Sequence, residues 1–402
     1  MVAGLVTGQS IVNPDERLAA AGIQVVVDKA TKVDAAQKKV WVSKGGELPY
    51  DKLILATGAS PFVPPIEGRD LRGVFVLRSL EDAEGILGFL AEKKPEKVIF
   101  VGSGFISMEV ATLLYASHPG HYEITVVELL EHALPLMLDS DMAALVQEYL
   151  EGKGFRMKMG EKVVKIVGQD GAVAGVELAS GETLDADMVF LNVGVRSNIE
   201  LAKDIGLEMG RFGIKVNTYQ ETSDPDILAC GDCVDKEHFI TKEAVPGQLR
   251  GPAVIQGRLA AKRLAGYDIQ FQGVLNASGC ELLEKTVAVT GMSEAQARQA
   301  GFETVSATVD SRSKHGMIPG MKPWRIKLVF DKKSQKLLGG QIVSDTTAPA
   351  KEIDTVNALI LGGMTISDMT TIMCAGNPDI ASEPSMEPLA IAAEQALQKL
   401  RE

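Results

Sequence analysis

The chain contains few cysteines for its length and no strongly basic stretch. Only four cysteines occur in 402 residues, and the first of them is Cys230. So sparse a set excludes a disulfide-stabilised secreted scaffold and fits a reducing cytoplasm. Lysine and arginine number 41 against 53 acidic residues, which gives a net charge of −12. A nucleic-acid partner is therefore not expected, because no basic surface is present to displace counterions from phosphates.

Long apolar runs are lacking as well. Residues 1–8 contain no basic segment, and no apolar stretch is long enough for a leader peptide or a membrane anchor. No spacing of residues indicates a metal site. Glycine is abundant by contrast, and 40 glycines with 46% apolar residues are typical of an α/β protein with many strand–helix turns. At this length more than one domain is expected.

The most informative segment is residues 97–109, Lys-Val-Ile-Phe-Val-Gly-Ser-Gly-Phe-Ile-Ser-Met-Glu. Its four apolar residues predict a buried strand, and Gly102 and Gly104 permit a tight turn into a helix that begins near Phe105. Such a turn lets backbone N–H groups and the helix N-terminus face a pyrophosphate. Ser107, at the third small position, still allows the helix to lie close to its strand.

A second predicted strand, residues 123–127, ends in Glu128, at a spacing that suits a ribose 2′-hydroxyl. This segment combines a strand, a turn, a helix, a second strand and a terminal acid. The combination indicates a dinucleotide site rather than a simple strand–helix turn. Two leucines and a second glutamate follow Glu128, so no cation is available for a 2′-phosphate, and we expect NADH in preference to NADPH. The predicted NAD site also includes Ile106, Glu109 and Gly194.

The N-terminal region predicts short strands. Residues 23–27 and 29–34 form two of them, and residues 40–43 pair back on the second in a hairpin. Residues 53–58 predict a buried strand that closes on a small-residue turn, and the prolines that follow form a linker with a domain boundary near residue 75. The dinucleotide unit then extends to about residue 200. It includes two antiparallel strands, predicted at residues 163–167 and 173–178, and a final strand at residues 188–193.

A separate signal lies at residues 226–232, Asp-Ile-Leu-Ala-Cys-Gly-Asp, where another apolar strand ends in a carboxylate. A helix is predicted over residues 251–266, because Gly251-Pro252 makes a good helix start. Further along, the pattern changes to strands followed by helices. The strands are predicted at residues 285–290, 304–309, 324–330 and 338–343, and the helices near residues 350–362 and 388–400.

Three motifs therefore stand in a fixed order: Ala56-Thr57-Gly58-Ala59, the glycine turn, and Ala229-Cys230-Gly231-Asp232. With the C-terminal strands they resemble the pyridine nucleotide-disulfide oxidoreductases, in particular the coenzyme A-disulfide reductase, NADH oxidase and persulfide reductase branch. The resemblance implies FAD and NAD(H) as cofactors and a homodimer. It also implies an α/β fold of doubly wound FAD- and NAD(P)-binding domains, the FAD part incomplete, with an α+β C-terminal dimerisation domain.

The implied division has four segments: residues 1–75 and 201–270 for FAD, 76–200 for NADH, and 275–402 for dimerisation. The resemblance implies that Asp232 binds a ribityl hydroxyl of the flavin and that the following helix points its N-terminus at the pyrimidine edge of the flavin. The residues that it assigns to FAD are Thr57, Gly58, Ala59, Gly231, Asp232, Leu249, Gly251, Pro252 and Ala253.

The chain also departs from the family. No glycine fingerprint precedes residue 97 and no cysteine precedes Cys230, so about 70 residues of the FAD domain are expected to be missing, judged from the size of a βαβ unit with its cysteine helix. A truncated and inactive form that holds FAD weakly, or a wrongly assigned start, is therefore one expectation.

The catalytic residue is not identified by the sequence. Relatives place a His-Pro segment or a tyrosine near the C-terminus, whereas residues 373–379 read Met-Cys-Ala-Gly-Asn-Pro-Asp. Cys374 is a candidate thiol beside a partner's flavin, although a buried structural thiol is the stronger expectation. Cys230 and Cys233 are open to two interpretations, a redox pair or small buried residues, and the second is favoured. His315 is expected to be a surface residue.

The function that these features imply is hydride transfer from NADH through FAD to a disulfide, a persulfide or oxygen. Two alternatives stay open: an NADH-dependent reductase of a small electron-transfer protein, and a non-catalytic nucleotide-binding fragment.

Overall fold

The computed structural model describes residues 6–12 and 15–402. Residues 1–5, whose composition argued against a leader, lie outside the described residues. The chain forms two compact units: one extends to Phe62 and continues over Gly194–Val274, and the other comprises Val63–Val193 and Leu275–Glu402. Among the described residues no helix is both long and apolar enough to cross a membrane. The four-segment division given above stays a prediction.

The strands are, in chain order, β1 (Ala30–Asp34), β2 (Lys39–Val42), β3 (Glu47–Pro49), β4 (Leu53–Leu55), β5 (Ala59–Pro61), β6 (Val74–Phe75), β7 (Lys97–Val101), β8 (Glu123–Glu128), β9 (Arg156–Met159), β10 (Val163–Gln169), β11 (Ala172–Leu178), β12 (Thr183–Asp185), β13 (Met188–Leu191), β14 (Val195–Ser197), β15 (Ile227–Ala229), β16 (Lys236–Glu237), β17 (Ala244–Val245), β18 (Ser278–Leu282), β19 (Lys285–Gly291), β20 (Thr304–Arg312), β21 (Pro323–Asp331) and β22 (Leu337–Ser344).

The helices are α1 (Gly8–Ile11), α2 (Asp15–Ala20), α3 (Leu80–Lys93), α4 (Phe105–Ser117), α5 (Ser140–Gly152), α6 (Glu200–Asp204), α7 (Arg250–Leu264), α8 (Glu294–Gln299), α9 (Thr347–Ala350), α10 (Glu352–Leu361), α11 (Ile366–Met369) and α12 (Pro388–Lys399). Short 3₁₀ turns occur at Gly231–Cys233 and Pro384–Met386.

A five-stranded parallel sheet positions the glycine turn, in the order β6-β13-β7-β8-β9. Its central strands are apolar on both faces, as expected for parallel strands covered on both sides. Phe100 of β7 is fully buried and stacks on Phe190 of β13 with ring centroids 4.6 Å apart. The predicted strands at β7 and β8 are confirmed, while the strand predicted to reach Val193 ends at Leu191.

The C-terminal segment folds as an antiparallel sheet, in the order β18-β19-β22-β21-β20. Four of these strands and the helices α10 and α12 match the predicted segments. The strand β18 is not predicted from the sequence, because polar residues next to the buried Cys280 and Leu282 hide the apolar pattern. The helix α3 is not predicted either; its start is fixed by a capping box between Ser79 and Asp82.

The unit that contains β1–β5 confirms one predicted hairpin and corrects two strands. Antiparallel β1 and β2 pair as expected. Residues 23–27 are wrongly predicted as a strand: they pair with no described strand, and Val27 is 76% exposed. The strand predicted within residues 53–58 ends at Leu55, and residues 56–58 form no strand. Because β4 pairs only with β15 among the described strands, Ile54 is 37% exposed instead of buried.

A buried charged cluster joins the two segments of the other unit. Asp139, just before α5, accepts hydrogen bonds from the backbone N–H groups of Glu294 (2.9 Å) and Ala295 (3.1 Å), which begin α8. Lys327 of β21 lies 3.2 Å from Asp139 and 3.1 Å from Glu294. Gln341 of β22 completes the set with a hydrogen bond of 2.6 Å to Asp139. We call these four side chains, those of Asp139, Glu294, Lys327 and Gln341, the charged latch.

Candidate nucleotide and flavin sites

The glycine turn after β7 has the geometry that a dinucleotide needs. Gly102 adopts φ +94°, and a Cβ at this position would lie 2.6 Å from the carbonyl oxygen of Asn192. The N–H of Gly102 donates to the carbonyl of Val127, at 2.8 Å, which closes the turn against β8. Gly104 has ordinary extended backbone, and a Cβ there would meet nothing within 4 Å. The turn is therefore closed on its strand side and open at Gly104, where a ligand can approach the backbone.

The start of α4 also fits a phosphate. Gly104 is its N-cap and supplies no side-chain cap, and no acidic residue lies in the first turn. The first N–H groups of the helix and its positive dipole end are thus available to an anion. Two buried polar atoms beside the turn, Oγ of Ser107 and Nδ2 of Asn192, have no hydrogen-bond partner among the described residues. These observations show that the residues present fit the pyrophosphate of NAD(H).

Glu128 lies where the sequence places it, at the end of β8, and is only 8% exposed. Its Oε2 accepts hydrogen bonds from the N–H (2.7 Å) and the hydroxyl (3.0 Å) of Ser103. Its Oε1 accepts one bond, from the N–H of Leu130 at 2.9 Å. All three donors are uncharged, so none of them supplies a positive charge to this carboxylate.

The remaining predicted NAD residues occupy different environments. Phe105 begins α4, and Ile106 is 40% exposed beside it. Glu109 is partly buried, and this burial raises the pKa of its carboxyl. It lines a cavity of about 390 Å³ together with Cys280 and Lys351. Gly194, with φ +111°, belongs to the other compact unit, where its carbonyl accepts the N–H of Phe62.

A larger cavity, of about 520 Å³, is lined by Glu96, Lys97, Asp185 and Asp187 among others. Lys97 is the first residue of β7, so this cavity lies at the opposite end of the strand from the glycine turn. Ligands of open α/β sheets bind at the carboxyl ends of the strands. This cavity is therefore not the candidate nucleotide site.

The predicted flavin residues Gly231 and Asp232 form a 3₁₀ turn directly after β15. Gly231 adopts φ +82°, its N–H donates to Oε1 of Gln256 in α7 (3.1 Å), and its carbonyl accepts from Nζ of Lys236 (2.7 Å). The Ser197 hydroxyl donates to the backbone carbonyl of Asp232 at 2.7 Å. The backbone of the turn is thus held by three side chains, those of Ser197, Gln256 and Lys236.

The first predicted flavin motif is held by a reciprocal pair of bonds. The Thr57 hydroxyl donates to the backbone carbonyl of Asn198 (2.6 Å), and the Asn198 amide donates to the carbonyl of Thr57 (2.9 Å). Gly58 adopts φ +69°, and Ala59 is buried. The hydroxyl of Thr57 is therefore a structural donor that fixes this turn against the segment after β14.

The helix α7 begins at Arg250, and Leu249 is its N-cap. No side-chain cap is present, no acidic residue lies in the first turn, and Gly251, Pro252 and Ala253 keep the start free of bulk. An uncapped start of a fifteen-residue helix stabilises a nearby anion. The donor chemistry of this unit therefore fits the ribityl and flavin part of FAD.

Cys230 and Cys233 are buried, as the favoured interpretation of them as small buried residues expects, whereas the expectation for Cys374 is corrected. All four cysteines are free thiols, and Cys230, Cys233 and Cys280 are buried. The Cys233 sulfur lies 3.2 Å from the carbonyl of Cys230 and 3.5 Å from that of Leu55, as expected for a packed thiol. Burial raises the pKa of Cys230, and that of Cys280 to about 12. Cys374 is exposed, so its expected burial is wrong, because residues 372–377 lie in an irregular loop that no neighbouring element covers.

We expect the native protein to show one fast-reacting thiol per chain with a thiol reagent such as Ellman's reagent. Cys374 is exposed, whereas the other three cysteines are buried. The rate of the reaction depends on the fraction of thiolate and on the access of the reagent to the sulfur. Cys374→Ser should remove the fast phase, and Cys280→Ser should leave it unchanged. A fast phase that survives Cys374→Ser and disappears in Cys230→Ser would instead support a reactive Cys230–Cys233 pair.

Three residues of these sites were missed in the sequence. Ser103 contacts Glu128, Gln256 contacts Gly231, and Lys236 is 2% exposed beneath the same turn. A polar residue between two glycines was a usable signal for Ser103. No local pattern marked Gln256 or Lys236, since each is identified only by a contact with a turn that the fold brings near.

Two family profiles match most of this chain. Residues 7–255 match the family profile described as pyridine nucleotide-disulphide oxidoreductase, and residues 280–386 match the dimerisation domain of the same family. A curated NADH oxidase from Methanocaldococcus jannaschii is 37% identical over 92% of this chain and 81% of its own length. The NAD(P)H sulfur oxidoreductase (CoA-dependent) of Pyrococcus abyssi is 32% identical over 87% of this chain and 77% of its own length. Among solved structures, the NAD-dependent persulfide reductase from A. fulgidus has a TM-score of 0.93 and 32% identity, covering 99% of this chain and 74% of that one.

Proposed function

Because this chain belongs to the pyridine nucleotide-disulphide oxidoreductase family, we propose that it is an FAD-dependent oxidoreductase that oxidises NADH. The observation that carries this proposal is the glycine turn, open at Gly104 and closed by the buried carboxylate of Glu128. A glycine turn before a helix and an acid at the end of a strand are each common, but together they provide both an anion site and a ribose acceptor. The four cysteines, all free, favour the cytoplasm.

The residues of the glycine turn bind and orient the nucleotide. The N–H groups at the start of α4 hold the pyrophosphate, and Glu128 accepts the ribose hydroxyls. Gly231 and Asp232, with the start of α7, hold the ribityl chain and the flavin edge. FAD, when bound, supplies the hydride acceptor and passes electrons on to a second substrate.

The second substrate is a disulfide, a persulfide or oxygen. The printed names of the relatives support this range, because they include an NADH oxidase, a CoA-dependent sulfur oxidoreductase and a persulfide reductase. Cys374 is the candidate thiol of this chain for a sulfur acceptor, since it is the cysteine that solvent reaches. The match to a dimerisation domain over residues 280–386 supports a homodimer.

The test is the affinity of the protein for the two nucleotides, measured by calorimetric titration. We expect NADH to bind at least about tenfold more tightly than NADPH, since Glu128 accepts a ribose hydroxyl and repels a 2′-phosphate. Glu128→Ala should bring the two affinities close together by weakening NADH and strengthening NADPH. Glu131→Ala, which removes a charge from the same loop, is the matched control and should leave NADH at least several-fold tighter. Equal affinities in the unaltered protein would contradict the proposed use of NADH.

A further inference from the structure

Ser103 lies between the two glycines of the turn, and its side chain is fully buried. It contacts two other parts of the nucleotide-binding segment at once. Its N–H and its hydroxyl both donate to Oε2 of Glu128, at 2.7 and 3.0 Å. Its hydroxyl and carbonyl oxygens both accept from the N–H of Leu134, at 3.3 and 3.2 Å. No glycine or alanine at this position could make the hydroxyl bonds.

The directions of these bonds are mutually consistent. A serine hydroxyl has one hydrogen to donate and two lone pairs to accept with. Its hydrogen is directed to the carboxylate of Glu128, so its oxygen is free to accept the N–H of Leu134. Two donors therefore converge on Oε2, while among the described residues Oε1 receives only the N–H of Leu130. The carboxylate is locked in one orientation, and Oε1 keeps capacity for a ribose hydroxyl.

The loop after Glu128 is held at both ends by this arrangement. Leu130 is bound to Oε1 of Glu128, and Leu134 is bound to Ser103. Leu134 is 1% exposed and has φ +51°, which is an unfavourable conformation for a bulky side chain. Such a residue persists only when its surroundings impose the conformation, and strained residues cluster at ligand sites. The hydrogen bonds to Ser103 contribute to holding it here, together with the burial of the Leu134 side chain in the apolar core and the bonds that its carbonyl accepts from Met137 and Leu138.

We propose that Ser103 is a positioning residue for nucleotide discrimination, a role that rests on the proposed use of NADH. It acts through Glu128, by holding the carboxylate where it accepts the adenosine ribose hydroxyls and opposes a 2′-phosphate. Without the hydroxyl of Ser103, the carboxylate of Glu128 keeps its charge but loses one of two donors on Oε2. It then samples other orientations, and the advantage of NADH over NADPH decreases.

The test is a double-mutant cycle between Ser103→Ala and Glu128→Ala, read as dissociation constants for NADH and NADPH. Ser103→Ala should weaken NADH binding by about fivefold, the net effect of one ordinary hydrogen bond, because the lost bond positions Glu128 and does not itself contact the nucleotide; NADPH binding should change much less. In the Glu128→Ala background the same substitution should have no further effect on either nucleotide. Thr112→Ala, which removes another buried hydroxyl in α4 that bonds only to helix carbonyls, should leave the ratio of affinities unchanged.

Thermal unfolding of each variant separates positioning from folding. If Ser103→Ala does not fold, Ser103→Gly provides a second test, because it keeps the N–H bond to Glu128 and removes the hydroxyl together with the Cβ. An unchanged NADH:NADPH ratio in the folded Ser103 variant would overturn this inference alone, as would an equal loss with and without Glu128. An unaltered protein that does not prefer NADH would overturn the inference and the proposed use of NADH together.

Discussion

Replacing Gly102 by alanine should weaken NADH binding by at least about a hundredfold, which is nearly 3 kcal/mol of binding free energy. Two features of the turn lead to this expectation. The backbone at Gly102 has φ +94°, where side chains are strained, and its Cβ would lie 2.6 Å from a backbone carbonyl oxygen of Asn192. A backbone atom cannot move aside as a flexible side chain can. The turn must therefore open, and the N–H groups at the start of α4 lose their common direction.

Gly104→Ala is the matched variant, since it adds the same methyl group two residues away. A Cβ at Gly104 meets nothing within 4 Å, and the backbone there is ordinary, so the fold should not change. The methyl group would nevertheless occupy the space through which a pyrophosphate approaches the turn, and we expect about tenfold weaker NADH binding. Calorimetric titration and thermal unfolding, applied to both variants, separate the two effects.

A third alanine substitution controls for the loss of glycine itself. Gly85 lies in α3, where a Cβ also meets nothing within 4 Å. Gly85→Ala should leave NADH binding unchanged and raise the stability slightly, because alanine has less backbone freedom to lose on folding. If Gly102→Ala binds NADH as well as Gly85→Ala does, then the segment at residues 97–109 is not the nucleotide site.

Lys327→Met should lower the free energy of unfolding by about 3 kcal/mol, the usual effect of removing one partner from a buried ion pair. Lys327 is the cation of the charged latch and is 7% exposed, close to Asp139 at 7% and Glu294 at 14%. Methionine fills much of the same volume but removes the cation beside buried Asp139, whereas Glu294 keeps its ion pair with Arg298, which is 65% exposed. The matched control is Lys351→Met, since Lys351 pairs with Asp354 on the surface at 81% exposure. This control should change stability by less than about 1 kcal/mol.

The latch also predicts how stability depends on pH. Burial by itself would raise the pKa of Asp139 and Glu294, but hydrogen bonds and the charge of Lys327 outweigh it and hold both pKa values below their ordinary 3.8 and 4.5. A lowered pKa in the folded state stabilises the protein above the unfolded pKa, and this contribution is lost as the pH falls through the folded value. The stability that Lys327→Met loses relative to the unaltered protein should therefore be largest near neutral pH and become smaller as the pH falls through the pKa values of these two carboxylates. Urea unfolding at several pH values checks this, and equal losses for Lys327→Met and Lys351→Met would contradict the role of the latch.

Local features were predictable because each depends on neighbouring residues. Apolar runs, glycine positions and spacing predict the strand β7, the turn at Gly102 and Gly104, the helix start at Phe105 and the strand that ends in Glu128. The hairpin of β1 and β2 follows in the same way. Residues 23–27 show the limit of such reasoning. Their apolar content favours a strand, but a strand also needs a partner at its edge, and the sequence does not show whether one is present.

The sequence by itself therefore determined the motifs of this protein: a dinucleotide turn with its acid, a Gly-Asp strand end and an antiparallel C-terminal sheet. The tertiary structure alone decided which residues support them. Ser103 reaches Glu128 across 25 residues, and Asp139 reaches Glu294 across 155. It also decided that Cys374 is exposed while Cys280 is buried. The reason is physical: periodicity and turn chemistry act over a few residues, whereas burial and hydrogen-bond partners depend on which distant elements pack together.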